Sequence, residues 1–310
     1  MDEATRLARL APRSGRLRVV MDTDTYNEID DQFAVAQMML APERFAVEAI
    51  YAAPFANADR AATPAEGMEQ SHAELLLLFD RLGMDPAGLL HKGATGSVGS
   101  TKAAQEAPAI DDLVARARAS DPDDPLYVIA IAAITDIASA LIKAPDIAER
   151  MVVVWLGGHA LHWPHTREYN LEQDIGGAQV LLDSGVPLVL VPCEGVTDHL
   201  HSTIPEIEDL VAPCGAIGRF LADRFRDIAD EEGSDPRGWS KPIWDMAAVA
   251  YLLDETWTPG FSTPTPILTD NGTWSFDPSR PAMRYVMAVQ RDPILRDFVA
   301  RLERHAGLRG

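Results

Sequence analysis

The sequence predicts an α/β fold: one mainly parallel sheet flanked by helices, a Rossmann-like open sheet. Three observations carry this. Short apolar runs recur through the first two thirds of the chain, and most are followed by a segment of helical periodicity. Several runs are apolar throughout, such as Met151-Val152-Val153-Val154-Trp155-Leu156, as strands covered on both faces must be. Polar, Gly- and Pro-containing turns separate the elements, which is the alternation of an α/β chain.

Taken in order, residues 1–16 mix Arg, Ala and Leu with acids and read as an N-terminal extension, frayed or helical, without the apolar core of a signal peptide. Residues 17–310 read as a single domain. Residues 17–22 form the first strand. After a polar turn, the spacing of Phe33, Ala34, Ala36, Gln37 and Leu40 predicts a helix over 30–41, stopped at Pro42. A strand follows over 45–53, then an Ala/Asn/Pro loop carrying Asn57, then a helix over 66–82 closed by Gly83. Residues 91–105, rich in Gly, Ser, Thr and Lys, read as a mobile loop. A helix over 109–119, a turn at Asp121–Pro125 and a strand over 126–132 come next. Thr135 opens a helix that ends before Pro145, and the strand 151–156 runs into Gly157-Gly158 and a long polar loop. A helix at 176–184 and a strand at 187–192 complete the alternation. The last third is less regular: helices near 204–232 and 245–254, a Pro/Thr/Gly-rich passage at 258–281, and a final helix around 292–306.

Composition narrows the partners. A hydrophobic content of 47% supplies a packed core, and a net charge of −20 argues against nucleic acid or an anionic membrane surface. The two cysteines, Cys193 and Cys214, lack metal-ligand spacing and suggest a reducing compartment. No run approaches the ~20 apolar residues of a membrane span. The expectation is a cytoplasmic protein acting on a small molecule.

The chemistry concentrates in Asp22-Thr23-Asp24 and Asp30-Asp31. The first pair ends the first strand and the second begins the following helix, which is where open α/β sheets bind ligands. Four carboxylates within ten positions repel one another unless a cation sits between them, and hard divalent ions take oxygen ligands of this kind. Singly, each has a plainer reading: Asp30 or Asp31 as a helix cap, Asp22 as a strand-end carboxylate bonded to backbone. Other polar residues fall at predicted strand ends. The Ile131 carbonyl ends the fourth strand; Glu168, Asn170 and Asp174 follow Gly157-Gly158; Asp245 follows Trp244 at the start of an apolar helix, where it also suits an N-cap. His159, His162 and His165 invite a zinc reading, but their loop is too irregular to fix the required geometry.

These residues resemble the inosine-uridine-preferring nucleoside hydrolase family, in a divergent branch, over about residues 17–255. That family opens with Asp-x-Asp and a nearby Asp-Asp after an apolar strand, matched here by Asp22, Asp24, Asp30 and Asp31. The resemblance implies Ca²⁺-dependent hydrolysis of the N-glycosidic bond of a ribonucleoside or related N-ribosyl compound. It implies that Asp24, Asp31, Asp245 and the Ile131 carbonyl hold Ca²⁺, that Asp24 takes the proton from a metal-bound water, and that Asp30 receives the ribose hydroxyls. Asn57, Glu168 and Asn170 match sugar-binding positions, and Thr135-Asp136-Ile137-Ala138 matches the helix start that places Ile131. It also implies a homodimer or homotetramer.

The sequence departs from the family pattern at three points. Five residues, Thr25 to Ile29, separate the Asp pairs instead of three, and this longer turn brings Asn27 and Glu28 into consideration as sugar contacts. The family's base-protonating histidine is Trp244, whose indole N–H donates hydrogen bonds but is not a usable acid. A pocket asparagine is His162, so activation of the leaving base falls to His162, His199 or stacking on Trp244. Two other readings compete. Asp22-Thr23-Asp24-Thr25 resembles the opening motif of haloacid-dehalogenase-type phosphatases, but no Gly-Asp-x-x-x-Asp follows, and Lys143 and Lys241 are poorly placed. The other is a non-catalytic nucleoside- or sugar-binding protein on the same scaffold.

Overall fold

A computed structural model describes residues 1–309 apart from 122, 234 and 236, so part of the turn expected at 121–125 lies outside the described residues. Six strands follow the order of the chain: β1 (Leu17–Thr23), β2 (Phe45–Ala52), β3 (Leu90–Lys92), β4 (Leu126–Ala130), β5 (Met151–Leu156) and β6 (Leu188–Val191). Two later strands, Gly260–Pro264 and Ala282–Val286, extend the same sheet. The spatial order is β3-β2-β1-β4-β5-β6, then Ala282–Val286, then Gly260–Pro264. Every neighbouring pair is parallel except the last. The predicted mainly parallel α/β sheet is therefore the observed one.

The helices are α1 (Glu3–Leu10), α2 (Asp30–Met39), α3 (Pro64–Leu82), α4 (Pro108–Arg118), α5 (Thr135–Lys143) and α6 (Tyr169–Gln173). They continue as α7 (Ile175–Asp183), α8 (Ile204–Leu210), α9 (Gly215–Glu231), α10 (Met246–Leu253) and α11 (Arg291–His305). Alternation along β1 divides the core. Val19 and Met21 join Phe33 of α2, Leu78 of α3, Phe225 of α9, Val249 of α10 and Phe298 of α11 on one face. Val20 joins Leu113 of α4, Ile137 of α5 and Leu181 of α7 on the other.

From β1 the order runs one way through β2 and β3, and from β4 the other way through β5 and β6. The crevice between the carboxyl ends of β1 and β4 is thus a topological switch point, the place where such sheets bind ligands.

Several boundaries differ from expectation. α3 begins at Pro64, where Thr63 caps it by accepting from the Glu66 N–H at 3.2 Å and Pro64 fills the first turn. The segment read as a mobile loop supplies the edge strand β3 and is then pinned: the Val98 and Gly99 N–H groups donate to Asp174 at 2.7 and 3.0 Å, and the Gln105 N–H to Ser139 at 3.0 Å. A helix expected across 204–232 breaks into α8 and α9 around Pro213 and Gly215, the latter at φ 73°. Residues 1–16 carry a packed helix: Asp2 caps α1, Arg6 donates to the Gly185 and Val186 carbonyls, and the Leu10 carbonyl accepts from the Tyr251 hydroxyl. The strands at 260–264 and 282–286 gave no alternation to read; Ala282–Val286 pairs with β6, and Gly260–Pro264 pairs in turn with Ala282–Val286.

Candidate active site

Asp22, one residue before the end of β1, lies on the α5 side of the sheet, fully buried and near Asp136, also fully buried. Burial, and then the charge of Asp136, raise Asp22 well above the usual carboxylate range. Asp136 accepts the Ala94 N–H at 2.8 Å and is itself pushed up to about 7 by burial. Asp22 is not part of the cavity wall.

Beyond β1 the chain turns through Thr25–Ile29. The Asn27 N–H donates to the Asp24 carbonyl at 2.8 Å, and the Thr25 hydroxyl to the Ser71 carbonyl at 3.0 Å. Gln32 donates to the Thr25 carbonyl and, at 3.3 Å, to Glu74. The turn delivers Asp30 and Asp31 to the first turn of α2, where the helix dipole favours negative charge. Asp31 Oδ1 accepts from the Thr23 hydroxyl and from the Asp24 N–H at 3.1 Å.

From the other half of the chain comes Asp245, immediately before α10. It occupies the N-cap position read in the sequence, but its side chain makes no capping bond. Carboxylate oxygens of Asp30, Asp31 and Asp245 lie within 4.8 Å of one another, and all three residues are buried. Asp24 lines the same cavity with Oδ2 buried and without a donor. The Ile131 residue, just past β4, borders it too.

Without a counter-charge this arrangement is electrostatically costly. Asp24, Asp30 and Asp245 are all raised well above the usual carboxylate range by burial and then by their acidic neighbours, and burial raises Asp31 to about 6. An oxygen-only donor set, a carboxylate oxygen left without a partner and mutual repulsion together fit a hard divalent cation. No other group of three metal-ligating side chains is found among the described residues. The zinc reading falls with it: His162 and His165 are exposed, while His159 is buried and engaged with backbone.

The cavity has a volume of about 260 Å³. Asn27 and Glu28 from the long turn line it, as do Glu168, Tyr169 and Asn170. Glu168 caps α6 and receives three backbone N–H groups: Asn170 at 2.9 Å, Gly158 at 2.8 Å and Leu171 at 3.0 Å. These bonds favour its charged form, yet burial outweighs them and places Glu168 at about 7. Asn170 donates to the Leu156 carbonyl at 3.1 Å. Asn57 stands behind Asn27, donating to its side-chain oxygen at 3.0 Å, and does not itself line the cavity. Trp244 lines it; His162 and His199 do not.

The remaining wall was not singled out for this role in the sequence: Leu156, His159, Arg167, Cys193 and Glu194. Cys193 and Glu194 follow β6 after Pro192, so their position just past a strand end was a usable signal. Arg167 had only its neighbour Glu168 to point to it. Asp174 is structural: buried, it accepts from Val98, Gly99 and Gly177 N–H groups and from the Thr135 hydroxyl at 2.7 Å. Among the described residues, no helix is long and apolar enough to cross a membrane.

Comparison with known proteins places this geometry in context. The family model described as "Inosine-uridine preferring nucleoside hydrolase" matches residues 19–292. A probable ribonucleoside hydrolase of Dictyostelium discoideum is 26% identical over 146 residues, 42% of this chain and 41% of that one. The chain spans about half the length of the curated relatives it matches. A purine-preferring ribonucleoside hydrolase from Gardnerella vaginalis superposes with a TM-score of 0.73 at 22% identity, over 94% of this chain and 100% of the other. An inosine-guanosine nucleoside hydrolase does so with a TM-score of 0.73 at 17% identity, over 93% and 99%. At these identities the superpositions speak for the fold.

Proposed function

This chain belongs to the inosine-uridine preferring nucleoside hydrolase family, and on that premise we propose that it hydrolyses the N-glycosidic bond of a ribonucleoside or related N-ribosyl compound with the help of Ca²⁺. The observation that carries the reading is the convergence of Asp24, Asp30 and Asp31 with Asp245, more than two hundred positions away, on one cavity that Glu168 and Asn170 complete.

Asp24, Asp31, Asp245 and the Ile131 carbonyl would hold the ion, with Asp30 close enough to share it. Bound there, Ca²⁺ supplies the positive charge that offsets the carboxylates and orders water and sugar hydroxyls next to them. Asp24, with an oxygen free of any donor, accepts the proton of the attacking water. Asp30 accepts hydrogen bonds from the ribose hydroxyls, and Glu168, Asn170, Asn27 and Glu28 contact the rest of the sugar. The sugar approaches an oxocarbenium ion as the bond to the base lengthens, and the surrounding carboxylates favour that positive charge. Asn57 acts through Asn27, holding the turn.

The phosphatase reading requires Asp22 to be an accessible nucleophile; instead it is 0% exposed and lies next to buried Asp136. Lys143, one of the lysines that reading would need, is bound to Glu106 and Asp111 at 2.6 and 2.8 Å.

The test is release of ribose from a panel of ribosides by the calcium-loaded protein, by the same protein after exhaustive chelation, and by Asp24→Ala. Turnover is expected only in the first. Undiminished turnover after chelation, or in Asp24→Ala, would overturn the mechanism.

A further inference from the structure

We propose that the substrates this site turns over best carry a cationic aglycone, a pyridinium or an N7-alkylated purinium, because the cavity lining, among the described residues, offers surplus negative charge and no histidine or lysine free to protonate a departing base. The proposal rests on the hydrolase reading above and narrows it to a substrate class.

The first observation is the fate of every titratable group on the wall away from the acidic cluster. His159 is the obvious acid, but both ring nitrogens are engaged: Nε2 donates to the Arg167 carbonyl at 3.1 Å, and Nδ1 accepts the Glu194 N–H at 3.4 Å. That pairing fixes one neutral tautomer, and burial further disfavours protonation. The Tyr169 hydroxyl donates to the Ala56 carbonyl at 2.9 Å. Cys193 is held as an unreactive thiol by burial. Arg167 pairs with Glu172 at 2.8 Å, and a guanidinium is not a usable acid. Glu194 accepts from the Trp163 indole at 3.0 Å, and Glu168, assigned above to the sugar, has both oxygens engaged by backbone N–H groups at the start of α6. Trp244 is no acid.

A neutral purine or pyrimidine that leaves without a proton departs as an anion. A ring already carrying positive charge leaves as a neutral molecule and needs no acid. In that reaction the water oxygen bonds to C1′ and the C1′–N bond breaks with its electron pair going to the ring nitrogen. The water proton passes to Asp24 and then to solvent, so the products are ribose, a neutral heterocycle and H⁺.

The second observation is charge. To the four clustered aspartates the lining adds Glu28, Glu168 and Glu194, against Arg167 as its one basic side chain of fixed charge among the described residues. A divalent ion offsets part of this, and Lys241, 3.0 Å from Glu28, a little more. The surplus attracts a cationic ring and repels a phosphorylated sugar.

The experiment compares matched pairs on the calcium-loaded protein: nicotinamide riboside against uridine, and 7-methylguanosine against guanosine slightly below neutral pH, with ribose release as the readout. The cationic member is expected to have kcat/KM about 100-fold higher, the scale of one missing acid catalyst. Cationic ribosides are also intrinsically more labile, so binding is measured separately by calorimetry. 1-Methylnicotinamide, methylated on the ring nitrogen and so a pyridinium cation, is expected to bind at least ~10-fold tighter than neutral nicotinamide. Ratios near one in either measurement overturn the substrate class and leave the hydrolase reading standing. No ribose from any of the four overturns both.

Discussion

The Lys241 ammonium stands 3.0 Å from the Glu28 carboxylate, and 5.1 Å above the centre of the Trp244 ring. One side chain thus ties the turn after β1 to the segment that delivers Asp245. With the Glu28 side chain 39% exposed, the ion pair itself adds less than about 1 kcal/mol. Its larger effect is on the position of Glu28 and Trp244 in the cavity wall. Lys241→Met is expected to raise KM about 3–10-fold with a smaller change in kcat, the pattern of lost uniform binding, and Lys241→Arg to recover most of it. A fall in kcat at constant KM would contradict the role.

Like charges dominate the metal-free site, so relieving one should stabilise it. Asp31 uses Oδ1 to accept from Thr23 and Asp24, and an asparagine keeps that acceptor. Asp31→Asn is expected to raise the stability of the chelated protein by about 1–2 kcal/mol while abolishing the rise in Tm that Ca²⁺ gives the parent. Thermal unfolding with and without calcium measures both.

Burial of carboxyl groups sets a pH dependence. Glu168 rises from 4.5 to about 7 and Asp136 from 3.8 to about 7, both through burial. The folded state then binds more protons than the unfolded one between those values. The stability these groups contribute is fully present below about 4 and is lost as pH rises through about 7. The chelated protein should therefore melt at higher temperature near pH 5 than near pH 7.5, and Glu168→Gln should flatten part of the slope. A Tm that climbs with pH over this range would contradict the assignment.

Restoring an acid tests the absence of one. Trp244→His places an imidazole on the cavity wall beside Asp245. Turnover of neutral nucleosides is expected to rise at least ~10-fold, short of the 10²–10⁴ of a tuned general acid, with little gain for cationic ribosides. His162→Ala, at an exposed position off the cavity, should change neither by more than about twofold.

Asp174 joins β3's following loop, α5 and α7 through four accepted hydrogen bonds. Asp174→Ala leaves buried donors unpaired and is expected to cost about 3 kcal/mol or more of stability. Calcium affinity per folded molecule should hardly change. Denaturant titration with a parallel calcium titration separates the two effects.

Much of this molecule was legible in one dimension. Strand and helix periods depend on near neighbours, so β1, β2, β4, β5 and β6 and the long helices between them could be read directly, as could the clustering of Asp22, Asp24, Asp30 and Asp31. What the pattern did not show was made by distant partners. The three residues of β3 and the strand Gly260–Pro264 have no period of their own; they are strands because the sheet edge supplies their hydrogen bonds. The divided roles of Asp22 and Asp24, two positions apart, follow from where the strand stops: Asp22 is still in β1 and faces Asp136, while Asp24 lies past the strand end, no longer held to the same face, and lines the cavity. His159 likewise looks like a free acid in the chain and is spent on backbone in the fold. The sequence alone determined which residue types were present and which local elements carried them. Tertiary structure alone decided which charges face one another and which protons are already committed, because burial and distance, the quantities that set those energies, exist only once the chain is folded.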